Sequence, residues 1–436
     1  MKILFIKPKT DLHVVIPPVN FLYLAGHLKK HNVKIIDAHC MKLSDEEIIK
    51  KVIDFSPDII GFGGLSSEID FSFKIAKKIR KISNAKIVFG GVHTTNESTD
   101  ILNKHYVDFI FRAESELPFA DFVNSLEKGK DFHKISNLGY THKGKNILNE
   151  VKLYDFNLIN MPDWDLINLK DYPKLFINKK TPSAPLFTSR GCPFSCTFCS
   201  SFTMNGRGYR ERDLDKVIEE LKYLQETQGI KEFHIWDENF SLKKERVIEF
   251  CDKLIEEKIN LVWNCPNGIR VDTLDEEVIR KMKKAGCWAL SLAIEFPNQR
   301  MLDIVNKKTD IEKIKKIAPL VQKNGIEATL FFIIGHPEET EEEMYQTIDL
   351  SLQIPASRAY FSIYKVLPGS KDYDTYGKEK DRIIFSEGSK KVKKIQRKAI
   401  LKFYLRPKQF FTAIKDNLSF TQFKEVLQIF KNFVLK

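Results

Sequence analysis

Long apolar runs are what this chain most plainly lacks: within its 436 residues nothing approaches the roughly 18 uninterrupted apolar residues of a membrane-spanning helix. The apolar run of the opening Met1–Lys7 is too short for a secretory signal and reads as a first strand, so a cytoplasmic location is expected. Cysteine is scarce too. There are seven, and Cys40, Cys251, Cys265 and Cys287 are scattered, which excludes the disulfide framework of a small secreted domain. Charge imbalance is absent from most of the chain: of the net +12, residues 380–436 supply +11, from 15 Lys and Arg against 4 Asp and Glu. A global nucleic-acid-binding surface is therefore not expected.

What is present is a soluble composition, 43% apolar and 29% charged, in a length that suits two or three domains. Residues 1–126 alternate short apolar runs with amphipathic ones, the pattern of a doubly wound parallel sheet. Strands are expected at 3–6, 33–36, 59–62, 86–89 and 109–111, and helices at 20–30, 45–55 and 69–82, with Ser44 or Asp45 as an N-cap. Ligands of such sheets lie beyond the strands' carboxyl ends, so the loops 7–19, 37–43, 63–68 and 90–95 face one site. Residues 127–180 lose the alternation and read as a small hairpin and a linker. From Pro185 a second βα series begins, with strands expected at 186–188, 232–236, 261–264, 289–293, 328–334 and 359–366. Helices are expected between them at 214–228, 244–257, 275–285, 311–324 and 341–354. Six such units over residues 181–370 suit a partial (β/α)6 barrel of the TIM type, and 371–436 form a basic helical extension.

Cys192-Pro-Phe-Ser-Cys196-Thr-Phe-Cys199 follows the first barrel strand, and Gly191 and Pro193 make it a loop. Three thiolates on one short loop can hold three corners of a 4Fe-4S cluster and leave one iron open. A zinc site or chance crowding competes with this reading, but a fourth ligand at zinc-like spacing is absent.

The spacing of three and then two residues, with aromatic Phe198 before the last cysteine, resembles the signature of the radical S-adenosylmethionine (radical SAM) superfamily. Other segments resemble the branch with an amino-terminal cobalamin (B12)-binding domain. They are Pro17-Pro18, Gly90-Gly91-Val92-His93, Asp108–Ile110 with Ala113–Glu116, Trp236–Phe240, Ala293–Glu295, Gly335–Thr340 and Phe403–Pro407. The resemblance implies a flavodoxin-like (Rossmann-like) cobalamin domain before the barrel. It implies cluster ligation by Cys192, Cys196 and Cys199, with Phe198 near the adenine of S-adenosyl-L-methionine. The cluster would cleave that molecule to a 5′-deoxyadenosyl radical, most simply to methylate an unactivated carbon of a small-molecule or lipid-like substrate. A reductase, flavodoxin or ferredoxin would supply electrons. A radical cyclase, oxygenating or rearranging enzyme is the alternative. An RNA methylthiotransferase would need further cysteines in the first domain, where only Cys40 is available.

Gly90 and Gly91 at a strand end admit a bulky ligand near the backbone, or simply a tight turn, and Ser66 and His93 lie on the same edge. Asn239 and Glu295 end barrel strands where S-adenosylmethionine would lie; helix capping by Asn239 or a surface place for Glu295 is the plainer alternative. Asp37-Ala38-His39 resembles a cobalt-ligating Asp-x-His pair, but it follows the second strand and has Lys42 where glycine belongs, so His39 reads as an ordinary loop residue. The tail aromatics from Ile400 to Phe430 are expected to pack on the barrel, with an anionic membrane surface as the sharper alternative for residues 380–436.

Overall fold

The computed structural model describes residues 1–9, 15–66, 68–377, 389–407 and 409. The chain forms two compact units. The first is Met1–Leu175 with Ser189–Pro193 and Ser200–Ile230; the second is Phe176–Thr188, Phe194–Cys199 and Lys231 onward.

The first unit opens with β1 (Lys2–Lys7), α1 (Val19–Gly26), β2 (Asn32–Asp37), α2 (Asp45–Phe55), β3 (Ile59–Phe62), α3 (Ile69–Arg80) and β4 (Lys86–Phe89). It continues through α4 (Val92–Asn96), α5 (Ser98–Leu102), β5 (Phe109–Phe111), α6 (Glu116–Glu127) and the hairpin β6 (Leu138–His142) and β7 (Lys145–Leu148). The sheet order is β2-β1-β3-β4-β5-β6-β7, with β1 to β5 parallel and the hairpin added antiparallel. The hairpin of the irregular stretch thus continues the first sheet.

Strand alternation builds both faces. Leu4, Ile6, Ile60, Phe62, Ile87, Phe89 and Ile110 pack on one side with α2 and α3. Ile3, Phe5, Ile59, Val88, Phe109 and Phe111 pack on the other with α1 and α6. Helix α2 starts where expected because Ser44 and Glu47 form a reciprocal capping box, and it buries Ile48, Val52 and Phe55. Helix α6 is not among the expected helices: Pro118 in its first turn interrupts the pattern that would mark it.

The chain then runs through β8 (Ser183–Leu186), β9 (Ser189–Arg190), α7 (Phe202–Asn205), β10 (Arg210–Glu211) and α8 (Leu214–Thr227). The second unit takes β8 and proceeds through β11 (Glu232–Ile235), α9 (Lys244–Glu256), β12 (Val262–Ile269), α10 (Glu276–Lys284), β13 (Cys287–Glu295) and α11 (Gln299–Ile304). It ends with α12 (Ile311–Lys323), β14 (Glu327–Ile334), α13 (Glu341–Gln353), β15 (Arg358–Ile363), α14 (Lys371–Tyr376) and α15 (Lys390–Tyr404). Its sheet is six-stranded and wholly parallel in the order β8-β11-β12-β13-β14-β15, with edge strands β8 and β15 unpaired with each other, as a partial barrel requires.

The first barrel strand is 183–186, not the expected 186–188. Pro185 is tolerated because β8 is an edge strand, and Thr188 has left the ladder: its N–H and hydroxyl both donate to buried Asp237, at 2.7 and 2.5 Å. Of the tail, α15 packs on the barrel as expected. Val392, Ile395, Ala399 and Phe403 are buried, and the Tyr404 hydroxyl donates to the Ala359 carbonyl at 3.1 Å. The aromatics from Phe410 to Phe430 lie outside the described residues.

Candidate functional site

In the first unit the order 2-1-3-4-5 puts the topological switch between β1 and β3, and the loops after β1, β3 and β4 border it. Gly91 has φ +92°, which disfavours any L side chain, and a Cβ there would meet the Gly64 backbone at 3.3 Å, so the Gly64 loop would have to give by a few tenths of an ångström. The His93 Nδ1 and Ser66 Oγ are 3.0 Å apart, and burial lowers the His93 pKa. Ser66, Gly90, Gly91 and His93 therefore share one edge.

His39 sits on the other side of β1, after β2. Its neighbour Asp37 is buried and occupied: it accepts from Tyr172 Oη at 3.1 Å and from the Cys40 amide at 3.1 Å, and Lys7 Nζ is 3.5 Å away. Asp37 organises this loop through Tyr172 and the Cys40 amide.

The cysteine loop is held residue by residue. Within the first unit, Gly191 has φ +87°, and the Cys192 amide donates to the Gly206 carbonyl at 3.4 Å. Within the second, Phe194 carries the Arg270 guanidinium 3.6 Å from its ring centre, and Asn306 donates to the Ser195 carbonyl at 3.0 Å and hydroxyl at 2.7 Å. The Thr197 amide donates to Val305, and its carbonyl accepts from the Asp372 amide at 3.0 Å. All three cysteines are partly exposed and none is in a disulfide, and Phe198 is half-buried. Burial pushes the Cys196 thiol up, while the nearby Lys307 and Arg270 cations pull it back. Among the described residues no three His, Cys, Asp or Glu side chains are already gathered as a metal site.

At the carboxyl ends of the barrel strands, Asn239 does not cap α9, whose N-cap is Lys243. Its side-chain amide is buried with neither nitrogen nor oxygen hydrogen-bonded, an arrangement that costs about 1–3 kcal/mol until a ligand or water fills it. Glu295 ends β13 at a register shift with φ +68°, a strained state for a non-glycine residue, and Lys307 Nζ lies 3.0 Å from its carboxylate. It is an ion-paired group inside the fold, which sets aside the surface reading.

Two features escaped sequence reasoning. Glu232, fully buried, accepts from Trp288 Nε1 at 2.9 Å, His234 at 3.1 Å and Asn264 at 3.3 Å; Trp288 and Asn264 are too far along the chain for any local pattern to reveal. Glu339, in the turn after β14, accepts the Gly335 and His336 amides on Oε2, while Oε1 is buried and unpartnered. Burial pushes its pKa from 4.5 up to about 7. The folded state therefore binds this proton more tightly than the unfolded state. The resulting stability is fully present below about pH 4.5 and is lost as pH rises through about 7. Between those limits, urea midpoints of the wild type are expected to fall relative to Glu339→Gln by up to about 3 kcal/mol in stability. Parallel pH curves for the two proteins would refute this.

Residues 2–123 match the model of the B12 binding domain, and residues 186–351 match that of the radical SAM superfamily. The chain thus carries a corrinoid-binding fold followed by a radical SAM barrel. It is 31% identical to an uncharacterized methyltransferase of Pyrococcus horikoshii, over 96% of both chains. It is 29% identical to the anaerobic magnesium-protoporphyrin IX monomethyl ester cyclase of Rubrivivax gelatinosus, over 86% of this chain and 70% of that one. The fold is similar to that of the radical S-adenosylmethionine methyltransferase TsrM from Kitasatospora setae, solved with cobalamin and a 4Fe-4S cluster. There the TM-score is 0.73 at 16% identity, covering 87% of this chain and 75% of that one. The chain belongs to the radical SAM superfamily, in the branch with an amino-terminal B12-binding domain, and it is a radical SAM enzyme.

Proposed function

We propose that the protein is a cobalamin-dependent radical methyltransferase acting on an unactivated carbon of a small-molecule or lipid-like substrate. The observation that carries this reading is the donor set. Three thiols stand on one anchored loop with no fourth cysteine or histidine at zinc-like spacing, in a chain that also has a glycine-lined corrinoid edge. Cys192, Cys196 and Cys199 would hold the cluster, Phe198 would lie near the adenine, and Gly90, Gly91, Ser66 and His93 would border the corrinoid. When bound, the cluster supplies the electron that cleaves S-adenosylmethionine and the corrinoid carries the methyl group.

The rest is the work of the chain. Asn239 offers a donor and an acceptor in one buried amide, as the paired hydrogen-bonding groups of a methionine or ribose moiety require. Glu295 offers a carboxylate to an ammonium or hydroxyl group, and Lys307 Nζ, 3.0 Å away, holds that carboxylate in place. Arg270 and Asn306 hold Phe194 and Ser195, keeping the loop ordered between its cysteines.

Anaerobic purification with iron, sulfide and corrinoid analysis of one sample tests the cofactors, and product mass tests the reaction. A gain of 14 mass units, the ordinary CH2 increment of methylation, supports methyl transfer on the general bookkeeping of group transfer at about one carbon per turnover. Cyclisation or oxygenation, favoured by the cyclase named among the relatives, would give a different mass. Failure to retain any corrinoid would refute the methyl-transfer reading. His39→Ala is expected to leave retention and the cob(II)alamin spectrum unchanged.

Contact with an anionic membrane is a second proposal. Among the described residues no helix is long and apolar enough to cross a membrane. The exposed Lys393, Lys394 and Arg397 lie on α15, whose other face is buried, so changing all three to Gln tests the charge without removing a core helix. Vesicle binding at low salt that survives this change would refute the proposal.

A further inference from the structure

One buried set of ion pairs in the first unit has no part in the reading above. Arg190 ends β9, two residues before Cys192, with its side chain 8% exposed. Its Nη2 donates to Glu116 Oε1 at 2.7 Å, and its Nη1 lies 3.5 Å from Glu114 Oε2. The guanidinium carbon is 4.3 Å from the centre of the Phe156 ring and 5.1 Å from that of Tyr23. Opposite it on β10, Arg210 donates to both carboxylate oxygens of Glu114 and to the Asn205 carbonyl.

Both strands that bracket the segment from Gly191 to Tyr209 are thus tied to two glutamates at the start of α6. A buried ion pair gains little over an apolar pair of the same shape, because desolvation offsets the attraction; what it supplies is geometry. Two carboxylates and two rings around a planar guanidinium fix its orientation as well as its position, which an ammonium group could not match.

We propose that Glu116 and Glu114 are positioning residues for the iron–sulfur cluster: by holding Arg190 they fix the root of the cysteine loop, and with it Cys192, before iron is bound. This rests on the cluster reading above.

Arg212 and Glu220 form an equally buried pair in the same unit, 2% and 1% exposed, with Trp164 Nε1 donating to Glu220 at 2.9 Å. They serve as the control for a merely structural role. In the metal-free full-length protein, Glu116→Gln is expected to speed amide exchange at Gly191, Cys192 and Phe194 by about tenfold or more, while Glu220→Gln leaves these amides at the wild-type rate. After anaerobic reconstitution, the reduced cluster of Glu116→Gln should show an altered paramagnetic resonance line shape, and that of Glu220→Gln the wild-type one. Arg190→Lys should reproduce the Glu116→Gln result, and it decides the matter should Glu116→Gln not fold. Wild-type exchange and line shape in Glu116→Gln and Arg190→Lys, or equal changes in Glu220→Gln, would overturn the proposal. A wild-type protein that takes up no cluster would instead refute the cluster reading, and the metal-free exchange comparison would still judge the clamp.

Discussion

Replacing Cys192, Cys196 and Cys199 together with alanine is expected to abolish the iron–sulfur absorbance and to reduce bound iron and sulfide to background, while the fold is retained. The three positions are partly exposed on a loop, so alanine leaves no cavity in a core. The other cysteines cannot substitute. Cys40 is held up at about 11 by burial and the neighbouring Asp37, and its thiol donates to the Asp171 carbonyl at 3.5 Å. Burial pushes Cys251 to about 12 and Cys265 and Cys287 well above the ordinary thiol value, so all stay protonated at neutral pH. Each of these, changed singly to alanine, should keep the cluster at a stability cost of about 1 kcal/mol for the buried ones. A cluster surviving the triple change, or lost on changing Cys265 alone, would sink the assignment.

Gly191→Ala is expected to be nearly as damaging, for a different reason. At φ +87° an L side chain costs about 1–2 kcal/mol by itself. The added Cβ would also stand 2.1 Å from the Gly208 carbonyl oxygen and 3.0 Å from that of Asn205, both backbone atoms that cannot turn aside. Relief requires β9 and β10 to move apart at the root of the cysteine loop. Reconstituted cluster per chain should fall about tenfold, the effect of some 1.4 kcal/mol on an equilibrium. Gly208→Ala is the matched control: it has an ordinary backbone conformation and nothing within 4 Å of its added Cβ, so it should bind iron as the wild type does. Equal iron content in the two variants would contradict the geometry.

Whatever depends on neighbours in the chain was legible in the residues alone. Strands 59–62, 86–89 and 109–111 fall where the apolar runs place them, because alternation at period two must put one set of side chains on each face of a sheet. Helix α2 spans 45–55 as expected because Ser44 and Glu47 sit three residues apart and cap it locally. The cysteine triplet is read in the same way, since its chemistry lies in its spacing.

Tertiary structure decided the rest, by bringing together charges that no short pattern links. Glu116 and Arg190 are 74 positions apart, and Glu232 and Trp288 are 56 apart; each pair is defined by strand order. Glu295 reads from the sequence as a ligand-binding or a surface carboxylate but is ion-paired inside the fold, and Asn239 reads equally well as a helix cap but is buried without a partner. Local spacing determines backbone conformation and which face a side chain joins. Which buried polar groups find partners depends on the packing of distant segments, and so do the strength and availability of the charges a site can use.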